Sequence, residues 1–384
     1  MMLILMSNIH EVMDTRPTAC HPIGEDKMSR DAVMTNMRGD GSEIRLPFPQ
    51  PQSPGEIREL APGLLWLRMP LPLRLNHVNI WLLEEPDGWT AIDTGLHHDA
   101  TYEIWGKVES ELFRGKPLRR LLATHGHTDH CGIASWMVQK FDVPFMTTHT
   151  EWLAARVRII DESRPISERT KHFAQVHDCD YAMVESFIAH RKLMAPMLAE
   201  QPRSIVEIRE GEALTLGQRE WRVMVCGGHA DAHASLYCEN DGILIAGDQI
   251  LQRISPMIGV FPDRPRGNPL RDYLGSLPRF LDLPSDLLVL PGHGVPFYGL
   301  HVRTQELMQH HEERLADLLA HLDQPRSASS CTRHLFDHAV REGQSRLALA
   351  ETLAHLNYLV HDGQVQRSFN DDGQLAFIRS DLGT

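Results

Sequence analysis

Seven imidazole and carboxylate side chains stand at spacings that suit metal ligation. The segment Thr124-His125-Gly126-His127-Thr128-Asp129-His130 places His125, His127, Asp129 and His130 within six residues, directly after the apolar run 121–123. A strand that ends in a tight, glycine-containing loop lets alternate side chains converge on one point. Imidazole and carboxylate donors suit Zn(II), Fe(II) or Mn(II). A lone His-x-His would read as a histidine-rich surface loop, but the longer pattern behind an apolar strand reads as ligands. One loop cannot complete a two-metal site, and three other segments offer the missing donors. Gly228-His229-Ala230-Asp231-Ala232-His233 follows the strand pattern 221–225, Gly247-Asp248 follows 243–246, and Pro291-Gly292-His293-Gly294 follows 287–290. Donors at strand ends lie on one face of a sheet and are held rigidly. Two cations ~3.5–4 Å apart acidify a bridging water to a hydroxide near neutral pH, so the expected chemistry is hydrolysis.

Several elements must position these donors. Short β-rich runs at 64–67, 78–83 and 89–92 are punctuated by turns. An amphipathic helix is expected over 101–114, a strand at 121–123, a helix at 132–141 and a strand at 144–147. Residues 151–200 carry helical periodicity with Trp152, Phe173, Tyr181, Phe187, Met194 and Met197 among them. This stretch reads as a helical insertion over one mouth of the domain. Its apolar stripe is expected to serve as core, with an apolar acyl pocket as the functional alternative. Strand texture returns at 205–208, 221–225, 235–238 and 243–246. Hairpin spacing in both halves favours a layered α/β sandwich over a doubly wound parallel sheet. After 300 come a long helix over 301–322, a break at 324–330, helices over 332–341 and 345–361, and a hairpin turned by Asp372-Gly373. Three helices and a hairpin are the order of a winged helix. Residues 1–54, rich in Met, Pro, Asp, Gly and Ser, read as a flexible leader.

Composition narrows the class. The chain has 384 residues, more than one ordinary domain needs. Its 42% apolar content supports a sizeable core, and a net charge of −13 argues against a surface that grips nucleic acid. No apolar run approaches a membrane span, and the six apolar residues at the start lack a basic flank. Six scattered cysteines form no CxxC pair. A reduced, cytoplasmic protein is expected.

The donor pattern resembles the metallo-β-lactamase superfamily over roughly residues 58–300. The resemblance is carried by His125–His130, His229 with His233, Asp248, the Pro-Gly-His-Gly at His293, Asn79, and Ile92-Asp93-Thr94-Gly95. It implies an αβ/βα four-layer sandwich with metals at its edge. It further implies that His125, His127 and His229 hold one metal, Asp129, His130 and His293 a second, and that Asp248 bridges them. His233 and Asp93 are implied to support ligands by hydrogen bonding. The metals are expected to be two divalent ions, zinc first, with iron or manganese as alternatives. Asp129 is the expected proton acceptor, and Cys131 and Cys238 are expected to be packing residues.

Substrate is read mostly by elimination. Lactonases of this superfamily carry a tyrosine three residues after the bridging aspartate, where this chain has Leu251. The zinc β-lactamases are usually secreted, and many lack a histidine at one ligand position. The glutathione-thioester hydrolases have a basic C-terminal domain, and the RNA-cutting relatives have a second inserted domain. Ser255-Pro256, Asn268-Pro269-Leu270, residues 273–277 and the C-terminal order resemble the β-lactamase-like 2 type, whose members include ribonucleases and acyl or thioester hydrolases. Residues 301–384 hold eight arginines, no lysine and twelve acidic residues, a poor surface for a duplex. The expectation is a metal-dependent hydrolase using a bridging hydroxide on a small acyl ester or thioester. An iron-dependent sulfur dioxygenase and an endoribonuclease are the alternatives. Arg264 and Arg266 are expected on a solvated loop, with a handle for an anionic substrate group as the functional alternative. A small-molecule substrate is the expected partner, with a second copy of the chain also considered and neither nucleic acid nor membrane expected.

Overall fold

The computed structural model describes residues 43–162 and 168–380. The first sheet has seven strands in sequence order: β1 (Ile57–Ala61), β2 (Leu64–Pro70), β3 (His77–Glu85), β4 (Gly88–Ile92), β5 (Leu118–Leu122), β6 (Phe145–Thr147) and β7 (Val206–Glu207). Strands β1 to β4 pair antiparallel, and β4 to β7 pair parallel. The second sheet runs β12-β11-β10-β9-β8, built from β8 (Ala213–Leu216), β9 (Arg219–Cys226), β10 (His233–Cys238), β11 (Ile243–Gly247) and β12 (Leu288–Pro291). Only β11 and β12 pair parallel in it.

Period-two patterning builds the layers. In β3, Val78, Ile80 and Leu82 enter one core while Trp81 and Leu83 enter another. The first of these cores lies under α1 (Asp99–Glu111) and α3 (Ala134–Phe141), through Trp105, Val108 and Met137. The second joins the two sheets through Trp66, Trp81, Leu122, Trp221, Val223 and Leu236. A third core covers the other face of the second sheet. There Leu244, Ala246 and Val289 pack with Leu270 and Tyr273 of α7 (Pro269–Ser276), Phe280 of α8 (Pro278–Leu281) and Leu307 of α9 (Leu300–His321). The result is helix, sheet, sheet, helix, the four-layer α/β sandwich. The short helix α2 (Thr128–Cys131) lies between β5 and α3.

The insertion is helical, as α4 (His149–Glu162), α5 (Glu168–Val176) and α6 (Tyr181–Met194). Phe173 and Phe187 join the third core, and Met194 and Met197 join the first. These side chains are therefore structural packing, not the lining of an acyl pocket. Tyr181 stands out in solvent at 80% exposure.

The C-terminal part continues from α9 through β13 (Arg326–Ser327), α10 (Ala328–Arg341), α11 (Ser345–His361), β14 (Val365–Phe369) and β15 (Leu375–Arg379). The strand order is β13-β15-β14, so the hairpin gains a third strand inside the stretch expected as a break. This domain shares the third core through Leu318, Leu335, Leu353 and Phe377.

Part of the expected leader is built into the body. Residues 1–42 lie outside the described residues, but 43–54 run along the sandwich. Arg45 forms a bridge with Tyr298, and the buried Gln52 donates to the Trp66 carbonyl at 2.6 Å. The backbone groups of β2 and Tyr298 give this segment partners that its Pro-rich sequence does not advertise. Among the described residues no helix is long and apolar enough to cross a membrane.

Candidate metal centre

Each expected donor stands just past a strand end. His125 and His127 leave β5, with Asp129 and His130 on α2; His229 follows β9, Asp248 follows β11, and His293 follows β12. The structure brings all seven together. The nitrogen and oxygen atoms of His125, His127 and His229 lie within 4.8 Å of one another, as do those of His125, His130 and Asp248, and those of Asp129, His130 and His293. Asp248 is central. Its Oδ2 lies 3.5 Å from His130 Nε2, 3.4 Å from His229 Nε2 and 3.2 Å from His293 Nε2. His125 Nε2 is 2.9 Å from His127 Nδ1 and 3.3 Å from His229 Nε2, and His293 Nε2 is 3.4 Å from Asp129 Oδ2.

The surrounding hydrogen bonds fix how these rings are protonated. His130 Nδ1 donates to Asp93 Oδ2 at 2.8 Å. His125 Nδ1 donates to Thr124 Oγ1, whose own proton goes to Asp93. His229 Nδ1 donates to the Met257 carbonyl at 3.0 Å, and His293 Nδ1 to the His77 carbonyl at 2.6 Å. With Nδ1 committed as donor, each of these four rings turns its Nε2 into the cluster, where loss of any proton it carries leaves a lone pair for a metal. His130 Nε2 and Asp248 Oδ1 are buried with no hydrogen-bond partner. Converging lone pairs and orphaned buried acceptors are costly without a cation and fit divalent metal ions well.

Charge within the cluster tells the same story. Burial, then repulsion from neighbouring imidazoles, holds His125 well below its usual range. Burial also disfavours the charged form of His130 and His293, but Asp248 and the neighbouring carboxylates outweigh it, and His293 is pushed up to about 10. Asp248 stays well below the usual carboxylate range: burial opposes this, and the charges of His293 and His130 outweigh it. A set of bases this close, sharing protons around two carboxylates, exchanges those protons for metal.

Asp93 and His233 sit where support is needed. Asp93 reaches both His130 and, through Thr124, His125; it also accepts from the Thr124 amide at 2.8 Å. His233 Nε2 accepts from the Asp248 amide at 3.1 Å, so it steers Asp248 through the backbone. Three further residues brace the ligand loops, a role the sequence reading gave to none of them. Buried Glu151, on the first turn of α4, accepts from the Gly126 amide at 2.8 Å and the Ala232 amide at 2.7 Å, tying two ligand loops together. Asn79 donates to the Pro291 and Gly294 carbonyls, and His77 Nε2 accepts from the Gly294 amide, which together brace the His293 loop. Asn79 appears in the sequence only as part of an opening strand.

The arginines of the alternative anionic handle divide. Arg264 Nη1 lies 2.5 Å from Asp231 Oδ1, in the loop between His229 and His233. Arg266 is not brought to the cluster: its carbonyl accepts from His361, and its charge bears on Arg367 of β14. The loop carrying both is strapped to the C-terminal helices, where Asn357 donates to the Pro265 and Gly267 carbonyls. Cys131 and Cys238 are buried and belong to no donor group among the described residues; Cys131 Sγ donates to the His127 carbonyl at 3.3 Å. The five cysteines among the described residues are free, and burial pushes the thiols of Cys179, Cys226 and Cys331 up to about 12.

A four-layer sandwich with histidine and aspartate donors gathered at its strand ends defines a class of metal-dependent hydrolases, and comparison with known proteins gives it a family. The chain belongs to the metallo-β-lactamase superfamily, whose profile matches residues 73–293; a profile described as a metallo-β-lactamase-like C-terminal domain matches residues 315–380. A β-lactamase domain protein from Burkholderia ambifaria is similar in structure, with a TM-score of 0.79 and 34% identity, over 88% of this chain and 98% of that one. The probable metallo-hydrolase YqjP of Bacillus subtilis is 25% identical over 76% of this chain and 91% of its own length. The human acyl-coenzyme A thioesterase MBLAC2 is 26% identical over 62% of this chain and 80% of its own length.

Proposed function

We propose that this metal-dependent hydrolase holds two divalent cations and cleaves acyl thioesters. The observation that carries the dinuclear reading is Asp248, whose Oδ2 lies within 3.5 Å of Nε2 atoms from both histidine sets. On this reading His125, His127 and His229 would hold one ion, Asp129, His130 and His293 would hold the other, and Asp248 would serve both. Zinc is the first choice, because imidazole and carboxylate donors suit it, and the same donors accept iron or manganese. A metal pair in such a site supplies Lewis acidity toward the scissile carbonyl and a water acidified to near neutrality.

The protein's own residues do the rest. Asp93, Thr124, the His77 carbonyl and the Met257 carbonyl hold the imidazoles in the tautomer that ligation requires. Asp129 is the more exposed of the two carboxylates, at 20% against 6% for Asp248. It also stays below the usual carboxylate range: burial opposes this, and the charges of His130 and His293 outweigh it. An ionised oxygen at the solvent edge of the cluster is placed to take a proton from the attacking water and pass it outward to the thiolate leaving group. The thioester substrate class is supported by the thioesterase relative and by the eight arginines against twelve acids in the C-terminal region, which disfavour RNA.

The test is metal analysis of protein purified without added metal, followed by a panel of thioesters, esters, lactones and phosphodiesters. We expect two ions per chain, and thioester turnover that a chelator abolishes and Asp248→Asn lowers at least 100-fold. A single iron per chain would replace the dinuclear reading. Turnover confined to lactones or phosphodiesters would replace the substrate class.

A further inference from the structure

Residues 248–268 link β11 to α7 without a helix or strand of their own. A connection of this length in a compact body takes its shape from other parts of the chain. It also carries a part of the metal centre, because the Met257 carbonyl accepts from His229 Nδ1 at 3.0 Å. A carbonyl can only accept, so this bond sets the tautomer and the ring plane of His229. Whatever holds Met257 in place therefore holds His229.

Two anchors of the loop come from beyond residue 300. On its near side, buried Arg303 of α9 donates to the Leu251 carbonyl at 2.7 Å and to the Ile254 carbonyl at 3.0 Å. On its far side stands α11. Ala350, Asn357 and His361 fall at i, i+7 and i+11, one face of that helix. The Ala350 carbonyl accepts from the Val260 amide at 2.9 Å. Asn357 Nδ2 donates to the Pro265 carbonyl at 3.1 Å and to the Gly267 carbonyl at 2.8 Å. His361 Nε2 donates to the Arg266 carbonyl between them, at 3.4 Å. Ile258 and Val260 are buried in the third core with Leu349 and Leu353 of the same helix. Asn357 itself is 2% exposed, whereas residues 263–266 of the loop are exposed. Carbonyls at the surface would find water without it, so a buried amide that directs both donors at them serves to order the loop.

We propose that the C-terminal domain is part of the frame of the metal centre: α11, through residues 257–267, holds the His229 imidazole in its ligating orientation, and Asn357 is the positioning residue. The inference rests on His229 being a ligand, as in the dinuclear reading above. It gives the C-terminal domain a role at the hydrolytic site that needs neither nucleic acid nor a second copy of the chain.

Asn357→Leu keeps the volume and removes both donors, which releases the loop to water. Thr352→Val is the control, because Thr352 is buried on the same helix and its hydroxyl donates to the Ala348 carbonyl within that helix at 2.8 Å. Zinc affinity is measured for wild type and both variants by competition against a chelating dye, on proteins shown by circular dichroism to be folded. We expect Asn357→Leu to weaken one ion about 3- to 10-fold, with its other ion and the Thr352→Val protein within about twofold of wild type. Unchanged affinity in Asn357→Leu, or an equal loss in Thr352→Val, overturns the positioning role. Asn357→Ser, smaller and with a single donor, replaces the leucine variant if that does not fold, and the same outcomes decide.

A second readout needs no metal. In metal-free protein carrying isotope-labelled histidine, the His229 Nδ1–H signal is identified by its loss in His229→Gln. Its exchange with solvent should be about 10-fold faster in Asn357→Leu and unchanged in Thr352→Val. An unchanged rate in Asn357→Leu overturns the proposal whatever the metal count. A single ion per chain together with the faster rate removes the dinuclear reading and leaves the positioning role standing.

Discussion

Glu151 shows how a single side chain can govern a site without touching its ligands' donor atoms. Its two oxygens accept amides from loops that follow different sheets, 25 and 81 residues away in sequence. Glutamine keeps the shape but offers only one accepting oxygen and sets a donor against the second amide. Glu151→Gln is therefore expected to weaken divalent-metal affinity about 10- to 100-fold, read by competition against a chelating dye. A change under about twofold would mean the loops are fixed by other contacts. The seven donors themselves are legible in the sequence, because glycines next to several of them in tight loops mark strand ends where side chains converge. Glu151 is not legible, since an acid on the first turn of a helix is usually a solvated one. The carbonyls of His77 and Met257 are equally silent, because any residue carries a carbonyl.

At the scale of elements, the loop after β12 is the tightest of the four that deliver donors. A Cβ on Gly292 would stand 2.1 Å from Asp248 Oδ1 and 2.9 Å from His130 Cε1. Both neighbours are short, held side chains with no room to retreat. Gly292→Ala should keep its far-UV circular dichroism and lose at least one metal per chain by elemental analysis. Full occupancy in that variant would show that the loop after β12 can shift without cost. The strands with two apolar faces, such as β3 and β11, stand out in the sequence because continuous apolar runs mark a layer between two cores. Others, β1 and the short β8 and β13 among them, do not stand out. β8 alternates buried and exposed residues over only four positions, and β13 has two residues whose pairing with β15 depends on a partner some 50 residues on. Helices α7 and α8 are short and begin at prolines, which read as loop punctuation.

For the molecule as a whole, the third core decides cooperativity. It mixes residues of the second sheet with Leu318, Leu335 and Leu353, so the sandwich and the C-terminal domain bury one another. The N-terminal segment at Arg45 and the Arg303 bonds to the Leu251 and Ile254 carbonyls add further ties. One unfolding transition is expected. Metal binding to the folded state alone adds about 3 kcal/mol at a hundredfold excess over Kd, so chelation should lower the whole transition by several degrees. Scanning calorimetry with and without chelator checks this. Two transitions, only one of them sensitive to chelation, would show that the domains fold apart. The fold class is legible because alternation and turn spacing carry over long stretches. The docking of residues 43–54 is not, because it depends on backbone partners far away in the chain.

The buried cysteines have a practical consequence. Thioester cleavage releases a free thiol, and such a product is usually followed with a chromogenic disulfide that reports every accessible thiolate. A thiol held near 12 is ionised in about one molecule in ten thousand at pH 8, so buried Cys226 and Cys331 and half-buried Cys179 react slowly even before access is considered. Cys131 and Cys238 are likewise raised and enclosed. The colour that develops during turnover then belongs to the leaving group. Continuous rates can be recorded at high enzyme concentration without blocking or replacing any cysteine in the folded body.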